Sequence, residues 1–216
     1  MLSEYKVIIK DATGNVLIPV ATAWNKLTYT RAVNTPGTLE MTFMDLTPDS
    51  AQQIGLMDTY GRMKPWGRVE VMRSINGGPM FLDWDTCYFI TNIARDGDNK
   101  GNFNFTIKGQ DTISLLAHQT TTPDATSAKV VKAAVANDDM LKTVFTEQFG
   151  AGSLTDWSAW MASAPNLGAA QSIAQKFPNT NVLTAMQKIA QASTAAGTYL
   201  AFDIFADGSN SFQFRT

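Results

Sequence analysis

The feature of this sequence that most constrains its fold is the alternation of apolar and polar residues in short runs over residues 4–108. The segment FNFTI at residues 103–107 has the period of a half-buried β-strand. Turn-forming residues at 36–37 and 76–78 separate the runs, and Gly37 is expected to supply the positive φ of a type II turn. Many short strands broken by turns are typical of a small antiparallel barrel or sandwich.

The strand pattern ends at a polar corner. After Gly109 the alternation stops, and Ile113 and Leu116 recur at helical spacing behind Asp111, a residue type that caps helices. Such a corner either closes a barrel and passes the chain to another layer, or builds a catalytic site. The order of these residues alone leaves both interpretations open.

Two segments beyond residue 119 have helical periodicity. Residues 137–149 carry one apolar stripe, and we expect Asn137 to cap this helix because its side chain suits that position. Residues 180–197 predict a second amphipathic helix that ends at a glycine. The C-terminal part of the chain is therefore expected to contain helices.

The expected fold class is α+β, with three segments. Residues 1–119 predict an antiparallel, tube-like β-barrel, residues 120–198 a helical α/β connecting domain, and residues 199–216 a β-hairpin. The boundary is placed at the polar, proline-containing joint 120–124 because such composition is typical of linkers. Residues 151–180 predict no regular element.

The composition limits the classes of function. Charged residues make up 17% of the 216-residue chain, against about 25% in an ordinary soluble domain, which favours a surface partly covered in an assembly. The net charge is −2 and no basic run is present, so no electrostatic nucleic-acid surface is predicted. Because Cys87 and His118 are the only residues of their types, an intrachain disulfide and a Cys/His zinc cluster are excluded. No signal peptide or long apolar run is evident, which predicts synthesis in a reducing cytoplasm without stable membrane insertion.

Three features that suggest chemistry each have a structural alternative. Residues 96–101 resemble part of a calcium loop, but Lys100 and Ile107 occupy positions that require oxygen ligands, so a hairpin turn is predicted. Asp111 would suit a catalytic carboxylate, but a helix cap whose side chain accepts a first-turn N–H is the expected role. His118 follows an apolar run and is expected to be a helix-end residue without a catalytic partner.

Two further groups contain acids and tryptophans. Asp83 and Asp85 flank Trp84, and two acids on one strand face would suit a paired-carboxylate glycosidase, but solvated strand-edge acids are expected. Trp157 and Trp160 would be able to stack on a sugar, although their spacing is typical of packing on one face of a helix. We therefore predict no catalytic residue, no cofactor site and no metal site, and do not expect an enzyme.

The order of the segments along the chain is more specific than any single motif. The segments in question are YKVIIKD, TRAVNTPGTLEMTFM, GRVEVMRS, GQDTISLLAHQ, NDDMLKTVFTEQFG, TNVLTAMQKIAQAS and YLAFDIFADGSNSFQFRT. In this order they resemble phage tail hub proteins, which are the baseplate-hub or tail-tip proteins of long-tailed phages and related injection machines. In that family a Gly-x-Asp corner with a Leu-Leu turn closes the first barrel. The resemblance implies a structural corner at Gly109, Asp111, Leu115 and Leu116, without chemistry.

The resemblance also implies an assembly. Such hubs are homotrimers in which each subunit carries two related barrels around a channel, so a three-fold ring seats on the six-fold tail tube or distal-tail ring. The implied partners are a tail-tube or distal-tail ring protein and a second hub, spike or fibre protein, with the tape-measure protein and DNA as passengers through the channel. The implied location is the tail tip of the virion, after assembly in the host cytoplasm.

The last expectation concerns the C-terminal hairpin. Because the chain stops at Thr216, before the second barrel of the family would be complete, we expect residues 199–216 to pair with another chain or a neighbouring subunit. The apolar side chains of this expected interface strand are Tyr199, Phe202, Phe205, Phe212 and Phe214. The alternatives are a six-copy distal-tail or tube ring protein, a tail-borne cell-wall hydrolase, and a carbohydrate-binding module. The tryptophans available to that last module are Trp66, Trp84, Trp157 and Trp160.

Overall fold

The computed structural model divides into two compact units, which are described separately. It describes residues 2–21, 24–45, 63–97, 103–121, 129–153, 155–206 and 211–216. The first unit consists of Met1–Arg31 and Gly37–Thr112, and the second of Ala32–Pro36 and Ile113–Thr216. Most of the expected turn at 96–101 and most of the expected joint at 120–124 lie outside the described residues.

The first unit contains an eight-stranded antiparallel sheet. Its strands are β1 (Ser3–Lys10), β2 (Val16–Ala21), β3 (Trp24–Tyr29), β4 (Thr38–Asp45), β5 (Arg68–Ile75), β6 (Phe81–Leu82), β7 (Tyr88–Gly97) and β8 (Phe103–Asp111). Neighbouring strands follow the order β2-β1-β5-β7-β8-β4-β3, and β6 pairs with β5. The expectation of consecutive antiparallel strands in the N-terminal half is confirmed.

Irregular strand registers bend this sheet. The β1–β2 ladder shifts register between Val7 and Ile9, and the β7–β8 ladder shifts between Ile90 and Asn92. An extra residue on one strand of a pair increases the local twist, and the sheet is curled into a half-barrel. Within the described residues no ladder joins the two end strands, β2 and β3.

One face of the sheet carries the hydrophobic core of the first unit. Val7 and Ile9 on β1 are two residues apart, as are Val69 and Val71 on β5, so the members of each pair point to the same face. The full buried cluster contains Val7, Ile9, Leu39, Met41, Phe43, Met63, Val69, Val71, Tyr88, Ile90 and Ile107. Burial of each large apolar side chain stabilises the fold by about 1.5–3 kcal/mol. The alternation in the sequence thus identified the core face.

The turn between β3 and β4 differs from the expectation. The positive φ in this turn belongs to Asn34, at 58°, and Gly37 is not in the left-handed region. Asparagine tolerates that region because its short polar side chain forms local hydrogen bonds. Gly37 is required instead by a close approach, since a Cβ there would lie 2.2 Å from the Thr30 oxygen and 2.8 Å from the Asp111 carboxylate.

The second unit combines helices with two small sheets, which confirms the α+β class. After a 3-10 helix (Thr112–His118), its elements are β9 (Lys129–Lys132), α1 (Asn137–Phe149), β10 (Met161–Ser163), β11 (Gln175–Pro178), α2 (Val182–Ala195), β12 (Asp203–Ala206) and β13 (Phe212–Arg215). The first small sheet pairs β9 with β11, and the second has the order β10-β13-β12 with β10 parallel to β13. No described helix has the length and apolar character that a bilayer crossing requires.

The start of α1 corrects one expectation. Ala136 occupies the capping position, and the side chain of Asn137 is fully buried without a hydrogen-bond partner. The Asn137 N–H donates to the Gln171 carbonyl at 3.0 Å, and Ala136 forms a β-bridge with Ser172. This backbone pairing places Asn137 inside the helix, so the expected cap was wrong.

An aromatic stack forms part of the core of the second unit. Phe145 stacks on Phe214 with 4.7 Å between ring centroids, and Phe149 stacks on Trp157 at 4.7 Å. Trp157 in turn lies 5.0 Å from Trp160. These two tryptophans therefore pack against neighbouring rings, as the structural alternative expected, although they lie in turns after α1 and not on a helix.

Candidate interaction surfaces

The polar corner at the end of β8 is closely packed on its own unit. A Cβ on Gly109 would lie 2.8 Å from the Phe89 carbonyl oxygen, so only glycine fits there without a shift. The Asp111 carboxylate is 1% exposed and accepts the Gly37 N–H at 2.8 Å. The Asp111 carboxylate thus orders the turn before β4, because a buried backbone N–H requires an acceptor.

The leucines of the corner lie in the second unit. Leu115 and Leu116 belong to the 3-10 helix and are both buried, whereas His118 at its end is exposed. His118 therefore occupies the helix-end position that the sequence predicted. Across the part of the chain that the structure describes, no cluster of three or more His, Cys, Asp or Glu side chains is arranged to hold a metal ion.

Asp83 corrects the expectation of two solvated acids. Its carboxylate is 3% exposed, accepts the Tyr29 hydroxyl at 2.6 Å and lies 3.3 Å from the Arg73 Nε. Burial and this carboxylate raise the pKa of Tyr29 above its ordinary value. Asp85, in contrast, is exposed. The sequence missed this difference because the partners of Asp83 come from distant strands.

The lone cysteine has no features of a nucleophile. Cys87 is 1% exposed, and burial raises the pKa of its thiol to about 12. Since the thiolate is the reactive form of cysteine, the thiol stays protonated and inert at neutral pH.

Two aromatic side chains project from the first unit next to Asp83. Phe81 is 42% exposed and Trp84 is 56% exposed, and we call this pair the aromatic knob. Trp84 has φ 61° and Asp85 has φ 48°, so two consecutive non-glycine residues are left-handed. The Arg31 guanidinium donates a hydrogen bond to the Trp84 carbonyl oxygen. The sequence signal for this site is the pair of acids around Trp84, a pattern that predicts a solvated strand edge.

The side chains of the expected interface strand have different environments. Phe202, Phe212 and Phe214 are at most 3% exposed in the core of the second unit, whereas Tyr199 is 68% exposed. Phe205 is half-buried beneath the Arg215 guanidinium, which lies 5.0 Å from the ring centroid. Within this chain, Tyr199 is thus the member of the set that is most available to a partner.

A groove beside α2 is a concavity of the second unit. Its volume is about 610 Å³, and we call it the α2 groove. Its lining residues are Val33, Asn34, Thr35, Gln187, Ala190, Gln191, Thr194 and Ala195. None of these side chains is charged, and Val33 is 59% exposed. The groove has no signal in the sequence because the 32–36 loop and α2 are about 150 residues apart.

Loop 32–36 lines this groove because the Asn34 side chain is hydrogen-bonded to the backbone of the segment before β12. The Asn34 side-chain amide donates to the Leu200 carbonyl at 3.0 Å and accepts the Phe202 N–H at 2.7 Å. The Asn34 carbonyl also accepts the Gln187 side-chain N–H at 2.8 Å. The Asn34 side chain thus donates and accepts one backbone hydrogen bond each, as a neighbouring β-strand would. These bonds position loop 32–36 as one wall of the groove.

Comparisons with known proteins found similarity at the level of structure. No protein-family model matches the sequence, and no curated protein matches it. The chain is similar to the tail protein from Neisseria meningitidis MC58, with a TM-score of 0.53 and 13% identity over 97% of this chain and 50% of that one. It is also similar to a chain of the Francisella PdpA–VgrG complex, half-lidded, with a TM-score of 0.48 and 14% identity over 99% of this chain and 31% of that one.

A further similar structure is the E. coli c3393 protein, a type VI secretion component with structural similarity to T4 bacteriophage tail proteins gp27 and gp5. Its TM-score is 0.43 and its identity 7%, over 99% of this chain and 46% of that one. This chain thus spans half or less of each of these proteins. The Neisseria match shows that the fold occurs in a tail protein, which confirms at the level of fold the likeness inferred from the order of segments.

Proposed function

We propose that this chain is a structural subunit of a phage tail tip or baseplate, or of a related injection machine. The observation that carries the proposal is the fold shared with the Neisseria tail protein over 97% of the chain. The low charged fraction of 17% supports it, because the buried cores of protein interfaces are depleted of charged residues. In this role the protein acts through surface burial between subunits, without catalysis.

Within that particle we propose the position of a hub. Three copies would form a channel that joins the tail tube or distal-tail ring to the spike, fibre or receptor-binding apparatus, and the tape-measure protein and DNA would pass through it. The corner at Gly109, Asp111, Leu115 and Leu116 would serve as a structural joint. Residues 199–216 would contribute to a subunit interface, with Tyr199 as the exposed side chain.

The proposal of a non-catalytic protein is supported by how the chain uses its ionisable groups. Asp111 accepts a backbone N–H, Asp83 accepts the Tyr29 hydroxyl, and the Cys87 thiol is buried. Each of these groups is therefore engaged in the fold by a hydrogen bond or by burial, which disfavours a role for it in catalysis.

The test is to purify particles that carry the chain and determine its place and copy number by electron microscopy. Three copies at the tail tip are expected for a hub. Six copies in a ring would instead identify a distal-tail or tube ring protein. Absence of the chain from the tail, or release of peptidoglycan by the purified chain that is abolished in Asp83→Asn or His118→Ala, would contradict the structural role.

A further inference from the structure

Of the four tryptophans that would serve a carbohydrate-binding module, Trp84 presents the most exposed indole. Trp157 and Trp160 pack among aromatic rings of the second unit. Trp66 lies edge-on to Phe89, with 6.5 Å between the ring centroids. The Trp84 indole is 56% exposed. The structure thus distinguishes Trp84 from the other three.

The turn that carries this indole is held in one conformation. Trp84 and Asp85 both have left-handed φ values, which non-glycine residues keep only where surrounding contacts impose them. The buried carboxylate of Asp83 accepts the Tyr29 hydroxyl, which anchors the start of the turn. The Arg31 guanidinium donates to the Trp84 carbonyl oxygen. An aromatic side chain on such a fixed backbone loses little entropy when it binds a ligand.

Charged side chains lie next to the aromatic rings of the knob. Asp85, directly after Trp84, is exposed. The Arg73 guanidinium lies 5.7 Å from the centroid of the Phe81 ring, and the Arg73 side chain is 28% exposed. The aromatic knob therefore combines one exposed indole with a carboxylate that accepts hydrogen bonds and a guanidinium that donates them.

These charges indicate which class of ligand fits. A dry protein interface would bury Asp85 and Arg73, and removing charged groups from water without matched partners is costly. A nucleic acid would place its phosphates beside the Asp85 carboxylate, in a chain whose net charge is −2, which is repulsive. A pyranose ring instead has an apolar C–H face that fits an indole and hydroxyl groups that bond to charged side chains in a partly hydrated site.

We propose that the aromatic knob is a binding site for a pyranose residue of a glycan. The C–H face of the sugar lies on the Trp84 indole, Asp85 accepts hydrogen bonds from its hydroxyl groups, and Arg73 donates to its hydroxyl oxygens. This site goes beyond the proposed structural role. Because it has one stacking face and few polar partners, we expect a Kd of about 0.1–10 mM for a trisaccharide.

NMR spectroscopy of the full chain tests the site with two soluble trisaccharides. Tri-N-acetylchitotriose represents cell-wall glycans with N-acetylated sugars, and maltotriose represents neutral hexose polysaccharides. The indole N–H signal of Trp84 is the one that Trp84→Asn removes. At least one of the two sugars is expected to shift this signal saturably, and the sugar that does so identifies the source of the ligand.

Two substitutions separate stacking from hydrogen bonding. Trp84→Asn removes the indole and Asp85→Asn removes the charge, and asparagine tolerates the left-handed backbone at both positions. We expect Trp84→Asn to weaken sugar binding at least about 10-fold. Asp85→Asn should weaken it about 3- to 10-fold, because a charge-assisted hydrogen bond becomes a neutral one. Saturation-transfer NMR, which observes the sugar, measures the binding of both variants.

Trp66 supplies the matched control. It is also left-handed, at φ 72°, and 45% exposed, but its neighbours in the chain, Pro65 and Gly67, carry no carboxylate. Trp66→Asn is therefore expected to bind the sugar as the wild type does. Circular dichroism verifies the fold of every variant.

Three results would overturn the site. The first is a Trp84 signal that neither sugar shifts saturably up to about 50 mM, a concentration above the weakest expected Kd. The second is a folded Trp84→Asn variant that binds the sugar as the wild type does. The third is a Trp84 signal that shifts with protein concentration but not with sugar, which would indicate a contact between copies of the chain. A failure of the proposed structural function is read separately, from the position of the chain in purified particles.

Discussion

Asp138 and Asp139 lie in the first turn of α1, where acidic side chains interact favourably with the helix dipole. Each carboxylate also accepts hydrogen bonds from the backbone of a loop. The Asp139 carboxylate accepts the N–H groups of Leu167 and Gly168, and Asp138 accepts those of Ala169 and Ala170. Four successive backbone donors of one loop are thereby satisfied by two adjacent side chains. This loop lies within the segment for which the sequence predicted no regular element.

The pKa of Asp138 leads to a prediction about acid stability. Burial alone would raise it, but the N–H groups of Ala170 and Ala169 and the nearby Lys142 outweigh burial and lower the pKa of Asp138 below its ordinary value. A lowered pKa in the folded state stabilises the protein above the ordinary pKa, and this stabilisation is lost as the pH falls through the folded-state value. We expect Asp138→Asn to lose about 2 kcal/mol of unfolding free energy at pH 7, measured by urea denaturation.

The same variant at low pH provides the control. Below the folded-state pKa of Asp138 the wild-type carboxyl is protonated, so its unfolding free energy should approach that of Asp138→Asn. A difference that stays constant from pH 7 to pH 2 would show that the ionised carboxylate is not the source of the stabilisation.

At the scale of elements, loop 32–36 leads to a prediction about the second unit. Asn34→Gly retains the left-handed backbone but removes the side-chain hydrogen bonds to Leu200 and Phe202. Loss of these bonds is expected to lower the unfolding free energy by about 1–3 kcal/mol. Hydrogen exchange should show faster exchange of the Phe202 amide in particular.

Asn76→Gly is the matched control for this loop. Asn76, in the turn after β5, is also left-handed, at φ 52°, but its side chain accepts one exposed hydrogen bond, from the Leu2 N–H at 3.2 Å. This substitution is expected to change stability by no more than about 0.5 kcal/mol. Equal effects of the two substitutions would mean that the contacts of the Asn34 side chain contribute nothing specific.

Some elements could be predicted from the sequence and others could not. The strands of the first unit alternate with period two, and α1 and α2 carry apolar stripes, so local order identifies them. β9, β10 and β11 are three or four residues long and, unlike the equally short β12 and β13, are not joined to their partners by a turn that marks a hairpin. They are strands only because distant segments pair with them, as β10 does with β13.

At the scale of the whole molecule, the low charge leads to a prediction about assembly. Raising the salt concentration from 0.1 M to 1 M shortens the Debye length from about 10 Å to about 3 Å, which weakens contacts held by ion pairs. An interface of uncharged side chains lacks this dependence. We expect the self-association constant of the chain, measured by sedimentation, to change less than about threefold over this range.

A variant that adds charge supplies the comparison for this measurement. Ala196→Lys at the exposed end of α2 alters the net charge without lining the groove, and its association should be equally insensitive to salt. A steep fall in association of the wild-type chain with salt would instead show that charged side chains hold the copies together.

The candidate sites were less predictable than the fold. The sequence predicts Asp83 in solvent, but the structure buries it against Tyr29 on β3 and Arg73 on β5, both of which precede it in the chain. The positive φ expected at Gly37 belongs to Asn34, and Gly37 serves a close approach to Thr30. In each case the residue type was informative, but its role depended on tertiary contacts, such as those of Asp83 with Tyr29 and of Gly37 with Asp111, which are 54 and 74 positions apart.

The sequence by itself determined the α+β class, the antiparallel strands of the first unit and the two helices, because these follow from the local period of apolar residues. It also determined the scarcity of charge, which is a matter of composition. Only the tertiary structure decided which acids are buried, which aromatic side chains remain exposed, and that loop 32–36 and α2 line one groove. These properties depend on contacts between distant segments, and such contacts leave no periodic pattern along the chain.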